Sequence, residues 1–64
     1  MRTGQLWRHR NTLDIDMYLV NVMQDSHRFY LTVRYWNRDY SIFQGELDIV
    51  QLPISDFHKW VRIQ

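Results

Sequence analysis

The stretch RFYLTVRYW, Arg28 to Trp36, constrains the fold more than any other part of this chain. Phe29, Leu31, Val33 and Tyr35 alternate with Tyr30, Thr32, Arg34 and Trp36, so period-two spacing puts one set on each face of a strand. Aromatic and β-branched residues fill most positions, which suits a pleated, half-buried surface. One strand cannot bury a face alone, so the rest of the chain must supply its neighbours. With 64 residues it must do so within a single domain spanning residues 1–64. A domain of this size buries only ~60% of the surface its unfolded chain exposes.

Few staples are available to such a domain here. There is no cysteine for a disulfide or a thiolate zinc site, and His9, His27 and His58 are too dispersed for a local metal motif. Neither a metal nor a cofactor is expected. Three Trp, four Tyr and three Phe compensate, because each buries a large area for the chain entropy it costs.

The neighbouring strands can be placed around this one. After Gly4, QLWRHR predicts a first strand ending at an Asn11-Thr12 turn. LDIDMYLVNVM predicts a second, with Leu13, Ile15 and Met17 inward and Asp14 and Asp16 outward. Its apolar parity then switches to Val20 and Val22, which predicts a bulge or bend near Tyr18-Leu19. QDSH reads as a turn before the central strand, and Asn37-Arg38-Asp39 as a short hairpin connection after it. YSIF predicts a fourth strand and Gln44-Gly45 a turn. ELDIV predicts a fifth strand, with Leu47 and Ile49 inward and Glu46 and Asp48 outward. Five short strands at hairpin spacing give an all-β meander that closes or nearly closes into a small five-stranded barrel.

The last segment, LPISDFHKWVRIQ, reads as a lid. Pro53 ends the ladder, Ser55 is a good helix N-cap and Asp56 suits the positive end of a helix dipole. A short helical turn starting there puts Phe57, Trp60 and Val61 on one side to plug the barrel, with His58, Lys59 and Arg62 in water.

GQLWRH at Gly4 to His9 and LPISDFHKW at Leu52 to Trp60 together resemble the opening and closing stretches of small bacterial and phage proteins of uncharacterised function. In those, a Gly-x-x-Trp/Tyr-Arg-His start leads into an SH3-like barrel and a Pro-Leu/Ile-Ser-x-Phe segment ends it. The resemblance covers the two ends only. It departs at the first turn, where Arg10-Asn11-Thr12 replaces a glycine-containing turn. It implies an SH3-like fold and a phage or prophage origin, and it brings no catalytic residues.

Charge narrows the function classes. Eight basic and seven acidic residues leave +1, too balanced to imply a polyanion partner by composition alone. Seven of the eight bases are arginine, which suits planar and stacking contacts at interfaces. The arginines of MRTGQLWRHR have no apolar run behind them, and no stretch approaches the ~20 apolar residues of a membrane span, so a soluble, cytoplasmic protein is expected.

Two groups of residues stand out as candidate binding sites. Tyr30, Arg34 and Trp36 stand in a row on one face of the central strand, and these types dominate interface hot spots and base-stacking platforms. Arg8 and Arg10, with His9, form a basic cluster that could meet phosphate. The same residues also fit a second small core and solvated strand ends. The carboxylate pairs Asp14/Asp16 and Glu46/Asp48 lie ~7 Å apart along a strand, a spacing that solvent-facing charge produces far more often than catalysis does. Asp25-Ser26-His27 and Ser55-Asp56-His58 read as turn and cap chemistry.

These readings combine into one expectation, an all-β, small SH3-like five-stranded barrel with a short C-terminal helical turn, working as a non-catalytic interaction module. Its expected partner is a protein, with Tyr30, Arg34 and Trp36 as anchors, including self-association through an exposed edge strand, and no small-molecule substrate is implied. The alternative is single-stranded nucleic acid, with Tyr30 and Trp36 stacking on bases and Arg8, Arg10 and Arg34 contacting phosphate.

Overall fold

The computed structural model describes residues 1–12 and 14–64. Five antiparallel strands form one sheet: β1 (Leu6–His9), β2 (Ile15–Gln24), β3 (Arg28–Asn37), β4 (Ile42–Pro53) and β5 (Trp60–Arg62). Their spatial order is β4-β3-β2-β1-β5. A 3₁₀ helix, Ile54–Lys59, leads from β4 into β5. Among the described residues β4 pairs only with β3 and β5 only with β1, so the sheet is not closed. No helix among the described residues is long and apolar enough to cross a membrane.

The turns on either side of β3 form where the sequence places them. Asp25 Oδ1 accepts the N–H groups of His27 and Arg28 at 2.7 and 2.8 Å, which fixes the β2–β3 turn. Asn37 Oδ1 accepts the N–H groups of Asp39 and Tyr40 at 3.0 and 3.3 Å, an Asx turn that carries the chain out of β3. Ser41 follows with φ 53°, so Tyr40 and Ser41 belong to this connection and not to a strand.

The predicted bend in β2 is a bulge. Leu19 pairs with Val33 and Asn21 with Thr32, which leaves Val20 surplus. Met17 and Leu19 before the bulge and Val22 after it therefore meet the same core, whereas Val20 is exposed and not inward as its pattern suggested. Leu13, predicted to begin that alternation, lies outside the described residues. Asp16, predicted to face water, is buried on the sheet face opposite Met17.

The segments YSIF and ELDIV, predicted as two strands around a Gln44-Gly45 turn, form a single strand. β3 offers a continuous ladder of ten residues, and β4 follows it throughout. Between the pairs Val33–Asp48 and Tyr35–Gln44, β4 takes four steps where β3 takes two. Gly45, at φ 76°, absorbs this surplus in a conformation most side chains avoid. The fifth strand is instead Trp60–Arg62, so the predicted helical stripe is split. Phe57 lies on the 3₁₀ helix, while Trp60 and Val61 are already extended. Ser55 is not the cap either: Pro53 occupies that position without a side-chain bond, and the Ile54 N–H is taken by the His27 carbonyl at 2.9 Å.

The core lies on one face of the sheet: Trp7 from β1, Met17 and Leu19 from β2, Phe29, Leu31 and Val33 from β3, and Leu52 from β4. Leu19 and Val33 have no solvent exposure, although no second sheet covers them. The sheet therefore curls around its own apolar face. The 3₁₀ helix shuts the remaining gap, with the Phe57 ring 5.2 Å from Trp7 and 5.8 Å from Phe29. The buried Trp7 indole N–H finds Gln5 Oε1 at 3.0 Å.

Pairing of Val50 and Leu52 with Leu31 and Phe29 sets the phase of β4. Asp48, opposite Val33, then takes the core side, and Leu47 and Ile49 point away from it, 59% and 78% exposed. This reverses the phase predicted from ELDIV alone, where the local alternation carried no information about β3. Leu19→Ala is expected to cost ~2–5 kcal/mol in urea unfolding and Ile49→Ser no more than ~0.5 kcal/mol. The opposite ranking would put the core on the other face.

Candidate functional site

The strand register gathers a second set of large side chains on the face opposite the core. Leu6 pairs with Tyr18, Tyr18 with Arg34, Asp16 with Trp36, and Trp36 with Phe43, so neighbours from four strands meet side by side. The Phe43 ring packs edge-on to Trp36 at 5.0 Å and to Tyr18 at 5.7 Å. The Arg34 guanidinium lies over Phe43, 4.4 Å from the ring centroid. Such a contact favours the cation through the ring quadrupole and holds a flexible side chain in one place. Gly4, Leu6, Tyr18, Trp36, Phe43 and Gln64 line a groove of about 300 Å³.

The groove is bordered by a buried ion cluster. The Asp16 side chain is 1% exposed, and Arg8 donates to it through Nε at 2.9 Å and a terminal nitrogen at 3.2 Å. Arg38, from the β3–β4 connection, places Nε 3.4 Å from Asp16 Oδ2, the oxygen that also accepts the Arg8 terminal nitrogen, and donates to the Thr12 carbonyl at 3.3 Å. Burying a carboxylate is costly without such donors, and a bidentate arginine matches its geometry. The cluster thus ties β1, β2 and the β3–β4 connection together beside Trp36.

The structure divides the predicted site residues. Arg34 and Trp36 meet in the groove. Tyr30 does not join them, because it stands near the far end of β3, where its hydroxyl donates to Asp25 Oδ2 at 2.8 Å. Arg8 shares the groove's face but is committed to Asp16. Arg10 lies apart and is committed to the end of the 3₁₀ helix, its Nε donating to the His58 carbonyl at 2.8 Å and its backbone N–H to Lys59 O at 2.9 Å. Positive charge there complements the carbonyl end of the helix.

Of the acidic pairs, Asp14/Asp16 is divided: Asp16 is buried in β2, while Asp14 precedes the strand and is exposed. Asp48 accepts the Tyr35 hydroxyl at 2.8 Å, and burial first, then this bond, pushes the Tyr35 phenol above its ordinary range. Among the described residues no three His, Asp or Glu side chains gather to hold a metal. Asp25-Ser26-His27 is the β2–β3 turn, and in the 3₁₀ helix His58 Nδ1 lies 3.0 Å from the Ser55 carbonyl.

Tyr18, Phe43 and Leu6 were not singled out from the sequence. The signal for Phe43 lies in the hairpin: with a four-residue connection at residues 38–41, Asn37 meets Ile42 and Trp36 meets Phe43. Tyr18 needed the β2 bulge placed after Leu19. Comparison with protein-family models, with curated proteins and with solved structures finds no match.

Two measurements check this geometry. Arg8→Ala leaves a buried carboxylate with Arg38 alone, and is expected to lower the urea midpoint more than Asp16→Asn, which leaves two partly exposed arginines that water can reach. Equal, small losses from both changes would show the cluster to be a surface pair. Asp25 is held below the usual carboxylate range by the His27 N–H first, then by the Tyr30 hydroxyl and the Arg28 N–H. A lowered folded pKa gives stability that is present above the ordinary carboxylate value and lost as pH falls through the folded one. In Tyr30→Phe the Asp25 carboxyl should titrate at higher pH by NMR, and the stability difference from wild type should vanish in acid. An unmoved titration would break the assigned bond.

Proposed function

We propose that this chain is a small SH3-like β-domain serving as a non-catalytic interaction module that grips a segment of a protein partner in the groove formed by Leu6, Tyr18, Trp36 and Phe43. The observation that carries the reading is the assembly of three aromatic rings and Arg34 on the solvent side of the sheet, while a separate apolar core fills the other side. Aromatic residues and arginine are the types that supply most binding energy at interfaces, because they bury large, rigid area at low entropic cost. The strand order, with a 3₁₀ helix between the last two strands, supports the SH3-like part of the proposal. So does the resemblance at Gly4–His9 and Leu52–Trp60, which adds a phage or prophage setting.

Single-stranded nucleic acid is the second reading, favoured by the same stacked rings next to Arg34. It is the weaker one because Arg8 and Arg10, which would reach phosphate, already serve Asp16 and the His58 carbonyl. Selection of peptides from a random displayed library against the folded protein separates the two. Peptides that bind wild type and lose at least tenfold in affinity to Phe43→Ala or Arg34→Ala are expected, with folding of both variants kept. Capture of oligonucleotides that falls steeply with salt, and no enriched peptide, would favour nucleic acid instead.

A further inference from the structure

The outer edge of β4 is open along twelve residues, and it is poorly defended. Natural edge strands are usually blunted by lysine, proline or a bulge, because an exposed ladder invites another strand. β4 has no basic residue, and its bulge at Gly45 and its Pro53 stand at the two ends of the run Leu47 to Leu52. Within that run Leu47 and Ile49 are the exposed apolar side chains.

The direction of the free backbone bonds can be read at one residue. The Ile49 N–H is taken by its neighbour's side chain, Asp48 Oδ1, at 2.9 Å. It is therefore turned away from β3, and alternation along the regularly paired part of the strand turns Gln51 outward with it, while Leu47 lies in the surplus stretch that the β3 pairing skips. Asp48 acts as a local stopper on the edge while its other oxygen stays with Tyr35.

We infer that β4 pairs antiparallel with β4 of a second copy, about a two-fold axis at Ile49. In that register Ile49 faces Ile49 of the second copy, and Leu47 and Gln51 face each other in both directions. These are narrow pairs, and when they form the Ile49 N–H leaves Asp48 Oδ1 for the main-chain carbonyl of the second copy. Asp48 falls opposite Val50 and Glu46 opposite Leu52, so no acids meet. Other registers fail on charge or on donors. An axis at Asp48 sets that carboxylate against itself, one at Leu47 sets Glu46 against Asp48, and one at Val50 sets Leu47 against Pro53, which has no N–H, whereas the Ile49 axis leaves Pro53 opposite only Gly45 at the bulge. A strand carrying acids and no bases accepts its own copy only where the acids alternate with neutral residues, and the Ile49 axis meets this condition. Two five-stranded sheets then join into one of ten. A single strand seam with few apolar side chains falls at the low end of specific interfaces, so a weak, concentration-dependent dimer is expected. This surface is separate from the groove, and the inference stands whether or not the groove binds peptide.

Sedimentation equilibrium from micromolar to millimolar protein tests it. Wild type is expected to pass from monomer to dimer, and Ile49→Lys to stay monomeric with its thermal midpoint unchanged. A wild type that is monomeric throughout, or a dimer that survives Ile49→Lys, overturns the proposal. The chain has no cysteine of its own, so register can be read directly: Ile49→Cys should cross-link to a covalent dimer under mild oxidation and Gln51→Cys should not, because copies of residue 51 lie ~13 Å apart in this register. Cross-linking through residue 51 and not 49 would contradict the axis.

Discussion

Asp16 is the point on which both faces of this sheet depend. Its carboxylate is buried in a β-strand whose adjacent residue, Met17, belongs to the hydrophobic core. Burying such a carboxylate is costly without donors held by fixed neighbours; Arg8 supplies two, and Arg38 adds a second positive charge 3.4 Å away. A buried ion pair adds little net stability over apolar groups of the same shape. What it contributes here is register: a one-residue slip of β1 against β2 would withdraw Arg8 and leave the charge buried without its main partner. Holding β1, β2 and the β3–β4 connection in place also fixes Trp36, which lies between Asp16 and Phe43 in the row across the sheet.

A sheet organised on both faces explains how so short a chain can keep large apolar groups outside its core. Curling brings Trp7, Leu19, Val33 and Phe29 together on one side, and Phe57 seals them. That leaves Tyr18, Trp36 and Phe43 free of any role in the main core. They pack against one another in a small cluster with an adjoining groove, so Trp36 is both half-buried and accessible. The second-core reading of this residue and the binding reading of its neighbours thus describe two sides of one cluster.

Much of this was legible in the sequence. The alternation in Arg28–Trp36, the turn at Asp25–His27, the bulge in β2 and the plugging role of Phe57 follow from period, turn chemistry and aromatic content. What was not legible depends on partners distant in sequence. The Leu47/Ile49 phase looks inward from ELDIV and is reversed by the pairing of Leu52 with Phe29. Gly45 reads as a turn and is a bulge, because β3 offers a ladder on both sides of it. Asp16 reads as a solvent-facing acid, since nothing in LDIDM reports that Arg8 lies across the β1–β2 pair. For the site, Arg34 and Trp36 were visible as a row on one strand, whereas Tyr18 and Phe43 required the cross-strand register.

NMR chemical-shift mapping of the uniformly labelled protein with a peptide selected against it tests most directly whether the aromatic face away from the core is a binding surface. The largest changes are expected on Leu6, Tyr18, Trp36, including its indole N–H, and Phe43, with the Trp7 indole unmoved behind its bond to Gln5. Changes centred on the 3₁₀ helix or the β2–β3 turn, with the Trp36 indole silent, would contradict a binding role for this face.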